Sequence, residues 1–267
     1  MLYDTHAHLD FPDFASDLSA VLERAAAAEV SRIITVGTNQ SSSRRAVELA
    51  ETHPAVYAAI GWHPTHVSEA PDDIRPWLYE LAGHPRVVAL GETGLDYHRL
   101  PGVTDGSVPD AQGLKDKQRR LFEQHLETAA AHGLNCIIHQ RDALADTLAV
   151  MERFRGRVRG QFHCFVDDVL ALRRVLALGS IVSFTGILTF KNAEGVRRTL
   201  VSATLEDFLL ETDCPFLAPV PHRGRRAEPA HLALIAAAAG QVKGVPLATL
   251  AEATCATAHR FFPKLGH

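Results

Sequence analysis

The 267-residue chain has only four cysteines, none spaced as C-x-x-C, so neither a zinc ribbon nor a thioredoxin-type redox motif is available. Cys136, Cys164 and Cys214 fall in apolar, strand-like runs, and the set reads as reduced thiols of a cytoplasmic protein. No apolar run approaches the roughly 18 residues a membrane span requires. Met1–Asp4 lacks the basic and apolar regions of a signal peptide, so no membrane partner is expected. Positive charge is not in excess either. A formal net charge of -4 argues against a broad electrostatic grip on nucleic acid, while leaving room for a small basic patch at a cleft. No Gly-rich fingerprint follows the first candidate strand, which removes support for a dinucleotide-binding sheet. No Pro/Ser-rich linker or low-complexity tract divides the sequence. One domain over residues 1–267 is therefore expected, of a length that α/β barrels commonly occupy.

The residue present in quantity is histidine, with 15 copies. His53, His84, His125, His132, His231 and His259 lie in or beside polar helical stretches and read as surface residues. Of the others, His6, His8, His139 and His163 follow apolar runs. Those runs are strand candidates: Leu2–Thr5, Arg32–Val36, Tyr57–Ile60, Val87–Leu90, Asn135–Ile138, Arg159–Phe162, Ile181–Phe184 and Phe208–Glu211. Helical patterns alternate with them, at Leu18–Glu29, Ser43–Thr52, Asp73–Ala82, Lys117–His132, Ala143–Arg153, Val169–Leu178, Ala193–Val201 and Pro229–Gln241, with a last helix at Leu247–Phe261. Strand alternating with helix implies a parallel sheet. Eight such units without a break predict a closed (β/α)₈ TIM barrel with one extra C-terminal helix. His98–Leu114, rich in Gly, Pro and Asp, reads as a long loop on the catalytic face.

Polar residues collect at the strand ends. His6 and His8 follow the first strand, and side chains at i and i+2 share a strand face. Glu92 follows the fourth strand, His139 ends the fifth, His163 ends the sixth, and Asp213 follows the eighth. In a barrel these C-terminal ends converge on one mouth, where barrel active sites lie. Four imidazoles and two carboxylates there would be costly to bury unpaired, but they form a consistent ligand set for two divalent cations. Cys164 and Cys214 adjoin ligands, yet a thiolate there would bind metal rather than attack. Ser183 and His163 have no orienting acid with which to make a triad.

The sequence resembles the TatD-type metal-dependent hydrolases, a branch of the amidohydrolase-like barrels. The resemblance is carried by DTHAHLD at 4–10, GWHP at 61–64, ALGETGLDY at 89–97, Gln118 with Phe122 and Gln124, IIHQRDA at 137–143, HCF at 163–165, SFTGILTFK at 183–191, LETDCPFLAP at 210–219 and HRG at 222–224. These stretches cover almost the whole chain in order. The resemblance implies that His6 and His8 bind a first metal, His139 and His163 a second, and Glu92 bridges both. It implies that Asp213 ligates the first metal and takes a proton from the attacking water. His63 would line the substrate pocket, with Arg223 near a substrate phosphate and Arg141 and Lys191 as further basic candidates. The chain departs from the family pattern at Asn135, at Thr257 and in the length of the loop 98–114. None of these touches the expected ligands.

The activity this resemblance implies is removal of nucleotides from the 3′ end of single-stranded or frayed DNA, with no obligate protein partner. D-aminoacyl-tRNA deacylation or a small-molecule amidohydrolase or lactonase reaction could use the same metals. A non-catalytic scaffold would need a missing ligand, and none is missing. Four nitrogen ligands favour Zn²⁺ or Mn²⁺, whereas the resemblance also admits Mg²⁺. Arg141, Lys191, Arg223, Arg225 and Arg226 favour a phosphate-bearing substrate, with Arg225 and Arg226 equally readable as a solvated pair.

Overall fold

The computed structural model describes residues 1–100 and 111–266. Its strands are β1 (Leu2–Ala7), β2 (Val30–Val36), β3 (Val56–Ile60), β4 (Val87–Asp96), β5 (Asn135–Arg141), β6 (Gly160–Phe162), β7 (Ile181–Phe184) and β8 (Phe208–Leu210). All eight lie in one parallel sheet in sequence order. The helices are α1 (Leu18–Ala27), α2 (Gln40–Thr52), α3 (Arg75–Ala82), α4 (Ala111–His132), α5 (Leu144–Glu152), α6 (Val169–Ala177), α7 (Glu194–Ser202), α8 (Leu232–Lys243) and α9 (Leu247–Phe261). The sheet closes at its C-terminal mouth. Ala7 bridges Cys214 in parallel, the Asp213 N–H donates to the His6 carbonyl at 2.9 Å, and the His8 N–H donates to the Cys214 carbonyl at 2.8 Å. The seam is thus made by the segments that carry three of the expected ligands. Short 3₁₀ turns at Pro12–Phe14, Pro64–Glu69 and Gly186–Thr189 occupy loops on the same face, after β1, β3 and β7.

The strands read as continuous apolar runs because they are buried on both faces. Alternate residues enter different cores. Ile33 of β2 and Ile138 of β5 pack outward with the helices, whereas Ile34, Val36 and Ile137 fill the barrel. Ala258, Phe261 and Phe262, at the end of α9, join that inner group and plug the N-terminal end. Asn135 fastens the plug, its Nδ2 donating to the Phe261 carbonyl at 2.6 Å. His139 and His163 keep the inward phase of Ile137 and Gln161, two residues before each.

Gly94 of β4 pairs with His139, and its φ is 130°. A Cβ there would lie 2.1 Å from the His139 carbonyl oxygen, so only glycine permits this approach of the two strands. The β4–β5 register shifts between Leu90 and Thr93, a bulge that contains Glu92.

Three expectations need correction. The loop 98–114 lies mostly outside the described residues, and Ala111–Leu114 already belong to α4. Cys164 and Cys214 stand just beyond β6 and β8, in the mouth loops rather than inside strands. His125 is not a surface residue, whereas His259 is exposed as expected, its Nε2 2.8 Å from the Tyr3 hydroxyl. His125 is fully buried on the inward stripe of α4, one turn from Leu121 and Phe122. Among the described residues no single helix is long and apolar enough to cross a membrane.

Candidate metal centre

The six expected side chains converge on one point, and Glu92 is its centre. Glu92 Oε2 is 3.5 Å from His6 Nε2 and 3.7 Å from His8 Nε2. Its other oxygen, Oε1, is 2.9 Å from His139 Nδ1 and 2.9 Å from His163 Nε2. Asp213 Oδ1 lies 3.7 Å from His6 Nε2 and 3.5 Å from His8 Nε2, and so faces the first pair. Asp213 adopts φ 54°, the left-handed region, which aspartate tolerates better than most residues. The six donors therefore divide into two sets that share one carboxylate.

The tautomers reveal what the cluster requires. His8 Nδ1 is 2.9 Å from the Val36 carbonyl and must donate, which leaves an Nε2 lone pair facing inward. His139 Nε2 is 3.0 Å from Asp96 Oδ2 and likewise donates, so its Nδ1 lone pair faces Glu92. Lone pairs then point at a carboxylate and at each other. His6 and His8 Nε2 are 3.2 Å apart, as are His139 Nδ1 and His163 Nε2. Protons on the Nε2 atoms of His6 and His163, or metal ions in their place, reconcile such an arrangement. Protonation shows the same demand. Burial pulls His8 down, but its hydrogen bond to Asp213 and the charge of Glu92 outweigh it and raise its pKa to about 9. His163 is raised too, burial being outweighed by Glu92 and Glu211. Burial alone would raise Glu92, yet the surrounding imidazoles hold it well below the usual carboxylate range. The residues present fit divalent cations. His6, His8 and Glu92 all offer ligand atoms close enough to share one ion.

His63 enters the same space differently. With Glu92 and His139 it too could share an ion on distance alone. Its Nδ1, however, accepts from the Thr65 N–H at 3.1 Å, so the neutral ring carries its proton on Nε2. That Nε2–H points at Glu92 Oε1, 3.1 Å away. Burial depresses its pKa to about 4, which keeps the ring neutral and a donor at physiological pH. His125 positions it from below, because the Trp62 N–H donates to His125 Nε2 at 2.9 Å. Gln118 braces the same segment, its Nε2 donating to the Pro64 carbonyl at 3.0 Å and to the Asp96 carbonyl at 3.1 Å.

Sequence reasoning missed the second layer. Asp96 falls at even spacing from Glu92 on β4, the signal that could have found it. Glu211, two residues before Asp213, accepts from the Cys164 N–H at 2.6 Å, from Gln161 Nε2 at 2.9 Å and from the Ser183 hydroxyl at 2.7 Å. Its Oε1 lies 3.7 Å from His163 Nδ1. Arg141, Lys191 and Arg223 stand exposed at the end of β5 and on the loops after β7 and β8. Arg223 rests its guanidinium 3.7 Å over the Phe190 ring. Arg226 is not a free cation. It pairs with Asp17 at 2.8 Å and ties the β8 loop to the start of α1.

Comparison with known proteins places these features in context. A family model described as TatD related DNase matches residues 3–263. The uncharacterized metal-dependent hydrolase YabD of Bacillus subtilis is 37% identical over 263 residues, 98% of this chain and 99% of that protein. The 3′-5′ ssDNA/RNA exonuclease TatD of Citrobacter koseri is 32% identical over 267 residues, 98% of each chain. The crystal structure of the TatD homologue YjjV of Escherichia coli superposes with a TM-score of 0.89 at 29% identity, covering 98% of both chains.

Proposed function

The chain belongs to the TatD-related DNase family and is a metal-dependent hydrolase, and from that premise we propose that it is a 3′-to-5′ exonuclease acting on single-stranded or frayed DNA ends. The observation that carries this reading is the division of Glu92 between two histidine pairs. Such a carboxylate suits a two-metal site of the kind that serves phosphodiester hydrolysis. The name of the Citrobacter relative supports the polarity and the single-stranded substrate. The protein is proposed to work as one cytoplasmic domain without an obligate partner.

In this reading His6 and His8 hold one cation, His139 and His163 the other, and Glu92 both; Zn²⁺, Mn²⁺ and Mg²⁺ are the candidates. Bound there, the two cations supply Lewis acidity that acidifies a water and polarises a phosphoryl oxygen. Asp213 faces the first pair and accepts the proton of the attacking water, its own pKa held below the usual range by the hydrogen bond to His8 and the nearby imidazoles despite burial. His63, neutral and presenting Nε2–H, donates a hydrogen bond to a phosphate oxygen rather than ligating metal. Arg223 contacts a phosphate, with Arg141 and Lys191 as additional cations at the rim. No side-chain nucleophile is needed. Cys164 and Cys214 are each raised well above the ordinary thiol range, mainly by burial, and stay protonated.

The test is a panel of 3′- and 5′-end-labelled single- and double-stranded DNA, RNA and D-aminoacyl-tRNA, each with Zn²⁺, Mn²⁺ and Mg²⁺. Stepwise shortening of single-stranded DNA from its 3′ end is expected. Deacylation of D-aminoacyl-tRNA with inert oligonucleotides would overturn the nuclease reading and leave the metal centre intact.

A further inference from the structure

Phe216 is 51% exposed, although it lies three residues from Asp213 and beside the metal centre. A scattered exposed phenylalanine needs no explanation, but this one is built into an aromatic corner. The Phe216 N–H donates to the Asp213 carbonyl at 2.9 Å, closing a turn that brings the ring back over the mouth. Its ring stands edge-on to Phe11, with centroids 6.0 Å apart and planes at 84°. Phe11 in turn lies stacked on His8 at 4.7 Å and 24°. Phe216 also meets the His8 ring edge-on at 6.3 Å. The loop that begins here is compact, since the Ala227 N–H donates to the Pro215 carbonyl at 2.9 Å and joins its ends. The same closed loop carries the exposed Arg223. A flat apolar face is thus presented within reach of one metal-ligand histidine, on the loop that also carries an exposed cation.

We propose that the open face of Phe216, backed by Phe11, is the subsite for the base of the nucleotide being removed. This rests on the nuclease reading given above. A net charge of -4 gives the protein no long electrostatic track, so affinity for a strand end must come from a few local contacts. Stacking on an aromatic ring supplies such affinity without reading sequence, because every base has a π-face. Arg223 serves the adjoining phosphate, and Phe216 serves the base.

The experiment compares wild type, Phe216→Leu and Phe216→Trp on two single-stranded oligodeoxynucleotides that differ only in the 3′-terminal residue, a normal base or a tetrahydrofuran abasic analogue. Wild type should favour the intact base by roughly tenfold to a hundredfold in KM, the range expected of one base–aromatic stack. Phe216→Leu should lose that preference, Phe216→Trp should restore it, and Arg223→Ala should weaken both oligonucleotides alike. Equal handling of the two by wild type, or a preference retained in Phe216→Leu, overturns the subsite while the nuclease reading stands. Binding is read separately, with an oligonucleotide bearing 3′-terminal 2-aminopurine and a methylphosphonate at the last linkage, which resists cleavage. Quenching by wild type that disappears in Phe216→Leu supports stacking. If wild type cleaves neither substrate, the nuclease reading fails, and absence of quenching then overturns the subsite as well.

Discussion

His139 presents Nε2 to Asp96 at 3.0 Å, on the side of the ring turned away from Glu92. Asp96 is itself held, accepting from the Arg99 N–H at 2.7 Å and from Arg99 Nε at 3.0 Å. The pair fixes the tautomer that leaves Nδ1 free for a cation. Asp96→Asn should therefore weaken binding at the second cation site by about 10- to 100-fold, the usual cost of losing such an outer partner. Mn²⁺ titration calorimetry of the full-length protein measures it. Unchanged affinity and stoichiometry would show that Asp96 only anchors Arg99.

Glu92 is buried and Asp213 partly so, yet their geometries predict different losses. Glu92→Gln removes the charge shared by both histidine pairs, so it should release metal before any effect on chemistry is read. Asp213→Asn keeps an oxygen toward the first pair and removes the basicity. It should retain at least one metal and the fold, with kcat falling by roughly two to four orders of magnitude. Metal analysis alongside single-turnover rates separates the two. Near-normal turnover of Asp213→Asn at full occupancy would move the proton acceptor elsewhere.

Metal binding should be linked to protons, with opposite pH trends for the two forms. His8 in the metal-free protein has a pKa of about 9, above the ordinary histidine value. A raised folded-state pKa adds stability that is fully present below about pH 6.5 and is lost as pH rises through about 9. The metal-free protein should therefore become less stable across that window. A cation must displace the same proton, so Mn²⁺ affinity should rise from pH 6 to 9, with proton release visible as a buffer-dependent binding enthalpy. At pH 8, chelation from a loading of about 100 times Kd should lower Tm by about 5 to 10 °C. A Tm indifferent to chelator would mean that the cluster holds no ion in solution.

His125→Leu tests the support under His63. The substitution keeps bulk but leaves the buried Trp62 N–H without its acceptor. It should cost about 1 to 3 kcal/mol, the price of one unsatisfied buried donor, read from urea unfolding. Burial holds the His125 pKa near 4, below the roughly 6.5 of the unfolded chain, so wild type loses stability as pH falls through about 6.5 and the cost of the substitution should shrink by about 1 kcal/mol from pH 8 to pH 6. A cost independent of pH over that range would show that the native ring titrates as it does in the unfolded chain.

Much of this protein is determined by its sequence alone. Apolar runs such as Arg32–Val36 and Asn135–Ile138 alternate with helical patterns because a parallel barrel buries both faces of every strand, and that burial writes itself into composition. The six candidate ligands were legible for a related reason. Each polar residue interrupts an apolar run at its C-terminal end, and closure of the barrel brings those ends together. Even the buried His125 was readable in principle, since it keeps phase with Gln118, Leu121 and Phe122 on α4.

Tertiary structure alone decided how the donors are shared. Spacing along β4 says nothing of which histidines meet which oxygen of Glu92, because the partners come from β1, β5 and β6 and their approach depends on the bulge at Glu92 and the bare Gly94. The tautomers of His8, His63 and His139 are set by Val36, Thr65 and Asp96. In two of these three cases the partner sits on another strand, and for His63 it is a backbone N–H whose direction depends on the turn. Arg226 looked in sequence like Arg223, and only the fold separates them, by bringing Asp17 against one and the Phe190 ring against the other. Long-range pairing of this kind leaves no periodic trace along the chain, so it becomes visible only when the strands are closed into a barrel.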